Sequence, residues 1–123
     1  GEHVQAYSVN LSESDPDRRW IEVKKSELKG TLEPVTRERL VMQGISNMGT
    51  KFRLQVGKIP AGVVVGHSAN VLEVINDEID VNGTLAILNS KLMNWYYKKI
   101  STNNNVNIYE MDDLPIRVFE GKN

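Results

Sequence analysis

The residues able to do chemistry crowd into one stretch, "KLMNWYYKKISTNNNVNIYEMDDLPI", residues 91 to 116. A run dense in aromatics and lysines ends in a polar loop that holds Asn103, Asn104, Asn105 and Asn107. Each amide side chain offers an acceptor oxygen and two donor hydrogens. The cations are segregated. From Arg39 to Leu72 there is no Asp or Glu, but there are Arg39, Lys51, Arg53 and Lys58. From Val81 to Tyr109 there is again no acid, but there are Lys91, Lys98 and Lys99. The acids gather elsewhere, at Glu73, Asp77, Glu78 and Asp80, at Glu110, Asp112 and Asp113, and in the first 38 residues. If the two acid-free segments meet in space, one face is basic and a polyanion can dock on it. Chance segregation is the competing explanation, and Lys98 and Lys99 also suit the negative end of a helix dipole.

Other chemistries lack their residues. His3 and His67 are far apart and show no metal-ligand spacing. No serine sits in a G-x-S-x-G elbow. "GKIPAG" does not follow the order of a phosphate-binding loop, and no G-x-G-x-x-G follows a strand. Asp112 with Asp113, and Asp77 with Glu78, read as solvated turn acids rather than a tuned catalytic pair. A stand-alone enzyme is therefore disfavoured, and the chain reads as a binding module.

The elements that must position these residues follow from pattern. "HVQAYSVN" alternates as a strand, "LSESDPDR" is a polar linker, and "RWIEV" is a second short strand. Ser26 can cap one helical turn closed by Gly30. "RLVMQGI", residues 39 to 45, reads as a buried strand. "SNMGT" is a tight turn in which Gly49 is free to take positive φ. "KFRLQV" alternates, with Phe52, Leu54 and Val56 inward and Lys51, Arg53 and Gln55 on a wet cationic face. "GKIPAG" reads as a further turn, and "VVVGHSANVLEVI" as strand broken around Gly66 to Asn70. One long helix is expected from Asn82 or Gly83 to Ile100, with Leu85, Leu88, Leu92, Trp95 or Tyr96, and Ile100 as its core stripe. A short strand, an acidic turn and an extended tail follow in "VNIYEMDDLPIRVF". The order predicts an α+β fold, a curved, mainly antiparallel sheet with one long helix in the C-terminal half packed on it.

The chain has 123 residues, enough for one domain with one core, so residues 1–123 are taken as a single unit. The net charge of −1 does not by itself announce a nucleic-acid binder. No apolar run approaches the roughly 20 residues needed to span a bilayer. The start "GEHVQAYS" lacks the pattern of a secretory signal. The absence of cysteine excludes disulfides and fits a reducing cytoplasm. Gly1 in place of a methionine suggests that the natural protein is longer.

The segment "LAILNSKLMNWYYKKISTNNNVNIYEMDDLPI" resembles the C-terminal part of target recognition domains in bacterial restriction-modification systems. It is most similar to the TaqI-like specificity domain found after adenine-specific methyltransferase domains, with type I specificity subunits as more distant relatives. The family pattern runs roughly "LLALLNSKLxxWYY", an "S-T/S-N" loop, then "L-x-x-LPI". This chain supplies Leu85, Leu88, Asn89, Ser90, Lys91, Leu92, Trp95 and Tyr96, then Ser101, Thr102 and Asn103, and finally Leu114, Pro115 and Ile116. Upstream, "HSANVLEV" stands where the family has its "xNS/NDxxYVL" segment. The resemblance covers roughly residues 39 to 116.

The resemblance implies recognition of a short double-stranded DNA site, as in type II restriction. A methyltransferase domain, in the same chain or another subunit, would take an adenine out of the stack with S-adenosylmethionine as methyl donor. An endonuclease is a further possible companion. No cofactor is expected on this chain, which lacks the Asn-Pro-Pro-Tyr/Phe signature. Lys51, Lys58, Lys91, Lys98 and Lys99 would contact phosphates. Base edges need paired donors and acceptors, each good pair worth about 1–3 kcal/mol of discrimination. Ser46, Asn47 and Thr50 in the first turn, and Thr102, Asn103, Asn104, Asn105 and Asn107 in the loop, are the candidates. Arg53 lies between the two roles, and His67, Ser68 and Asn70 are further candidates. Asparagines also cluster in turns for conformational reasons alone. The alternative is a docking or scaffold domain of the same assemblies, contacting its partner through the Asn94 and Tyr97 side of the helix.

Overall fold

The structure, a computed structural model, describes residues 4–9, 26, 29, 30, 32–76 and 78–116. The linker and the strand expected over residues 11–23, and the tail beyond Ile116, lie outside the described residues. At its centre is β3 (Arg39–Gln43), flanked antiparallel by β4 (Val56–Ile59) and β5 (Ala69–Leu72) in the order β4-β3-β5. Strand side chains alternate between faces. Leu40 and Met42 accordingly join Leu54, Val56 and the helices in the main core, while Val41 packs with Val4 and Ile59 on the other side. With both faces covered, β3 can afford no exposed polar position over its first four residues, which explains its near-continuous apolar run.

The other face is covered by a hairpin of β1 (Val4–Gln5) and β2 (Ser8–Val9), where one continuous strand was expected. The chain reverses at Tyr7, whose φ of 67° is left-handed. The Tyr7 N–H donates to the Val56 carbonyl at 2.7 Å, docking the hairpin on β4. The approach is close enough to require Gly57, because a Cβ there would stand 2.8 Å from the Ser8 carbonyl carbon and from Val9 Cγ2.

Several boundaries differ from the sequence pattern. Residues 51–55 are not in a strand, and β4 instead takes the "GKI" expected to turn. The turn follows at Gly62, whose φ is 87°. Of the long strand expected over 63–75, only β5 forms. Gly49 does not take positive φ. Its turn is held by Asn47, whose Oδ1 accepts from the Gly49 N–H at 2.8 Å and whose carbonyl accepts from the Thr50 N–H at 2.9 Å.

The long helix is two helices, α1 (Val81–Leu88) and α2 (Lys91–Ile100). Asp80 caps α1, accepting from the Gly83 N–H at 2.5 Å, so the helix starts before the expected Asn82. At Ser90 the backbone leaves the helical region (ψ 152°), and its Oγ caps α2 by accepting from the Met93 N–H at 3.0 Å. This break resets the phase of the apolar stripe. Leu85 and Leu88 are buried as expected, but on α2 the buried positions are Met93, Asn94 and Tyr97. Leu92 is 73% exposed and Trp95 58% exposed. A third short helix, α3 (Ile108–Asp112), replaces the strand and turn expected there. Among the described residues, no helix is long and apolar enough to cross a membrane. Among the described residues the fold is α+β, with two small antiparallel sheets and three α-helices.

Candidate nucleic-acid interface

Beyond Gln43 the chain of β3 continues to a second partner. The Val106 N–H donates to the Gly44 carbonyl at 2.9 Å, and the Ser46 N–H donates to the Asn104 carbonyl at 2.8 Å. Between these bonds Ile45 and Asn105 face each other as an antiparallel bridge. The Met48 N–H adds a bond to Asn104 Oδ1 at 2.9 Å. The turn Ser46–Thr50 and the loop Thr102–Asn107 are thus one surface, and the two acid-free segments meet.

Beneath this surface lies Arg53, 1% exposed rather than on the wet face that its alternation suggested. Its guanidinium donates to the carbonyls of Ser46 at 3.0 Å and Asn103 at 2.7 Å, and to Ser101 Oγ. One side chain therefore ties the first turn, the loop and the end of α2 together. Its Nε has no partner among the described residues. The guanidinium lies over the Tyr97 ring, 5.2 Å from the centroid. The Tyr97 hydroxyl donates to Glu110 Oε2 at 2.6 Å, and the same oxygen accepts from the Asn107 N–H at 3.1 Å. Burial, reinforced by the bond to the Glu110 carboxylate, pushes the Tyr97 pKa up to about 12. Glu110 is itself buried. It is the one member of its acid group turned inward, since Asp112 and Asp113 are exposed.

The chain next to Arg53 is anchored by two asparagines, Asn94 in α2 and Asn89 at the end of α1. Asn94 accepts from the Leu54 N–H at 2.8 Å and donates to the Leu54 carbonyl at 3.3 Å. Asn89 does the same to Val56, at 3.0 and 2.9 Å. Each amide substitutes for a neighbouring strand, satisfying buried backbone groups that would otherwise be costly. Leu54 thus has its backbone groups bonded outside the sheet, and Val56 is held at the start of β4. Sequence reasoning missed both roles. Asn94 and Tyr97 were placed on the outer side of the helix, and they face inward. The available signal was a pair of amides, Asn89 and Asn94, within an otherwise apolar helical stretch.

The base-reading candidates divide by exposure. Asn47, Thr102, Asn103, Asn104 and Asn105 are exposed, Thr50 and Asn107 half-buried, and Ser46 and Arg53 buried. Asn103 Oδ1 accepts from the Asn105 N–H at 2.8 Å, and Asn107 Nδ2 donates to the Tyr109 hydroxyl at 3.2 Å. His67 is exposed, while Asn70 donates to the Val106 carbonyl at 2.6 Å from beneath. Gly44, Ile45, His67, Asn70, Asn105 and Tyr109 line a shallow cleft of about 460 Å³ beside the loop.

The lysines divide by distance. Lys98 and Lys99 are exposed in the last turn of α2, which ends at the loop, and Lys51 is exposed near Arg53. Lys58 pairs with Leu40 in the sheet, roughly 16 Å along β3 from Ile45 at about 3.3 Å per residue. It meets Glu38 at 3.3 Å and Asn82 Oδ1 at 3.2 Å. Lys91 opens α2, roughly 15 Å from Ser101 at about 1.5 Å per residue. Arg39 is buried, donating to the carbonyls of Val63 at 2.5 Å and Arg37 at 3.1 Å.

A model of the TaqI-like C-terminal specificity domain matches residues 1–116. The chain belongs to this family. The match takes in the N-terminal 38 residues that the resemblance over 39 to 116 left out. No curated protein and no solved structure matches the chain. TaqI-like C-terminal specificity domains serve DNA sequence recognition in restriction-modification systems, a specificity role rather than a catalytic one. Among the described residues of this specificity domain, no cluster of three or more potential metal ligands occurs.

Proposed function

We propose that the chain is the double-stranded DNA recognition module of a restriction-modification methyltransferase or endonuclease, presenting DNA so that another domain methylates an adenine at N6. That domain would carry the S-adenosylmethionine, in the same chain or in a partner subunit. The observation that carries this reading is the joining of turn 46–50 to loop 102–107 through Ser46, Met48 and Asn104. It gathers exposed amides into one place and sets them next to Lys51, Lys98 and Lys99. Asn47, Thr102, Asn103, Asn104 and Asn105 are the base readers in this reading, with Thr50 and Asn107 at the margin. Arg53 and Ser46 act from below, as supports for the loop. Lys98, Lys99 and Lys51 hold phosphates and set register, and Lys58 and Lys91 stand at the periphery.

Fluorescence anisotropy with duplex DNA tests the reading. Binding should be present at low salt and weaken log-linearly as salt rises. No binding at low salt would overturn it.

A second reading has its own observation. Leu92 and Trp95 leave an apolar strip exposed on α2, so a docking role for this domain would use that strip in place of the Asn94 and Tyr97 side. Leu92→Ala should then weaken an assembly while leaving DNA affinity unchanged, whereas Trp95, whose ring lies under Lys99 Nζ at 5.6 Å, touches both surfaces.

A further inference from the structure

We propose that Ile45 and Asn105 form a reading pair for an adenine and an adjacent thymine methyl in the major groove. This rests on the DNA-recognition reading and gives it a base preference. The two residues face each other across the antiparallel bridge. Its flanking bonds, Val106 N–H to Gly44 and Ser46 N–H to Asn104, make theirs the non-hydrogen-bonded type of pair. In that type the opposed side chains lie on one face at their closest spacing.

The face in question is the outer one. Ser46 and Val106, the next residue along each strand, are buried, whereas Asn105 is exposed and Ile45 is 65% exposed. Both side chains line the same cleft. Neither Oδ1 nor Nδ2 of Asn105 hydrogen-bonds to any described residue, in contrast to Oδ1 of Asn47, Asn103 and Asn104, which each take a backbone N–H. Asn105 therefore offers an unused acceptor and donor, the set that matches N6 and N7 of adenine. Ile45 beside it offers an apolar surface left in water. On the major-groove edge the apolar feature is the C5 methyl of thymine, and the groove admits a two-stranded ribbon. A guanine would set its O6 acceptor against the amide in place of a donor, and a cytosine would leave Ile45 without its methyl.

The test starts from duplexes selected out of a random pool by the 123-residue chain. Each thymine of the selected site is then replaced by deoxyuridine, which lacks only the methyl group. We expect one thymine, next to an adenine, at which this replacement weakens binding about four-fold, the effect of one buried methyl group. Ile45→Ala should bind the two duplexes equally, and Asn105→Ala should lose the preference for the neighbouring adenine. Ile45→Ser, judged for folding by circular dichroism, provides a second small exposed replacement, one that carries no methyl group. Selected sites that bind but show no methyl-sensitive thymine, or a sensitivity that persists in both Ile45 variants, would overturn the reading pair and leave DNA recognition standing. Failure of the chain to bind any duplex would overturn both.

Discussion

Arg53 and Tyr97 stand stacked in the core, the guanidinium 5.2 Å from the ring centroid, and between them they brace the first turn and both ends of the loop from below. Arg53 binds the carbonyls of Ser46 and Asn103, and Tyr97 binds Glu110, which in turn holds the Asn107 N–H. A buried cation, an aromatic ring and a buried carboxylate thus run in series under the loop.

Removing the cation should be severe. Arg53→Met leaves the Ser46 carbonyl without its partner and removes a buried positive charge. It also takes one bond each from the Asn103 carbonyl and Ser101 Oγ, which keep the bond between them. We expect a loss of about 3–5 kcal/mol in urea unfolding. Arg53→Lys should recover less than half of it, because an ammonium cannot reproduce the planar fork or the stacking.

Tyr97 gives the pH dependence. Its pKa is raised to about 12, above the ordinary value of 10.0. Its neutral form is the one favoured by folding, so its contribution is complete below about pH 10 and disappears as pH rises toward 12. The loss is of order 2–3 kcal/mol. Tyr97→Phe should be less stable at neutral pH and should lack this alkaline step, as followed by circular dichroism against pH.

The two asparagine clamps should matter more than their side chains suggest. Asn94→Ala exposes no new surface but strands the buried N–H and carbonyl of Leu54. A loss of about 2–3 kcal/mol is expected. Asn94→Asp should not restore stability, since it removes the donor and adds a buried charge. Thermal unfolding of the two variants checks both.

The reset phase of α2 is equally testable. Met93→Ala should cost about 2–4 kcal/mol, whereas Leu92→Ala should cost less than about 1 kcal/mol. Reversed magnitudes in chemical denaturation would restore the single long helix.

These variants also mark where pattern reading stops. The buried strand at β3 was legible because both its faces are apolar. Charge segregation could raise the meeting of the two acid-free segments only as a condition, because it does not say which segments pack together. The break at Ser90 was not, because "LAILNSKLMNW" contains no Gly or Pro, and a serine in mid-pattern reads as tolerated when it is in fact a cap. Arg53 was misplaced because alternation assumes a sheet, whereas residues 51–55 lie outside it and the Leu54 backbone is bonded by the Asn94 amide instead. Asn94 and Tyr97 were turned outward because one continuous helix was assumed, and the break at Ser90 resets the phase of α2. A buried polar residue is satisfied by partners distant in the chain, and one-dimensional periodicity cannot register them.

The central claim is that the joined turn and loop, with the lysines beside them, grip a duplex. The most direct measurement is the slope of log affinity against log salt for single lysine variants, by fluorescence anisotropy. Lys98→Ala and Lys99→Ala should each reduce the slope by about 0.9, the value for one phosphate contact. Lys58→Ala, engaged by Glu38 away from the loop, should leave it unchanged. Unaltered slopes in the α2 variants, or an equal loss at Lys58, would contradict the claim.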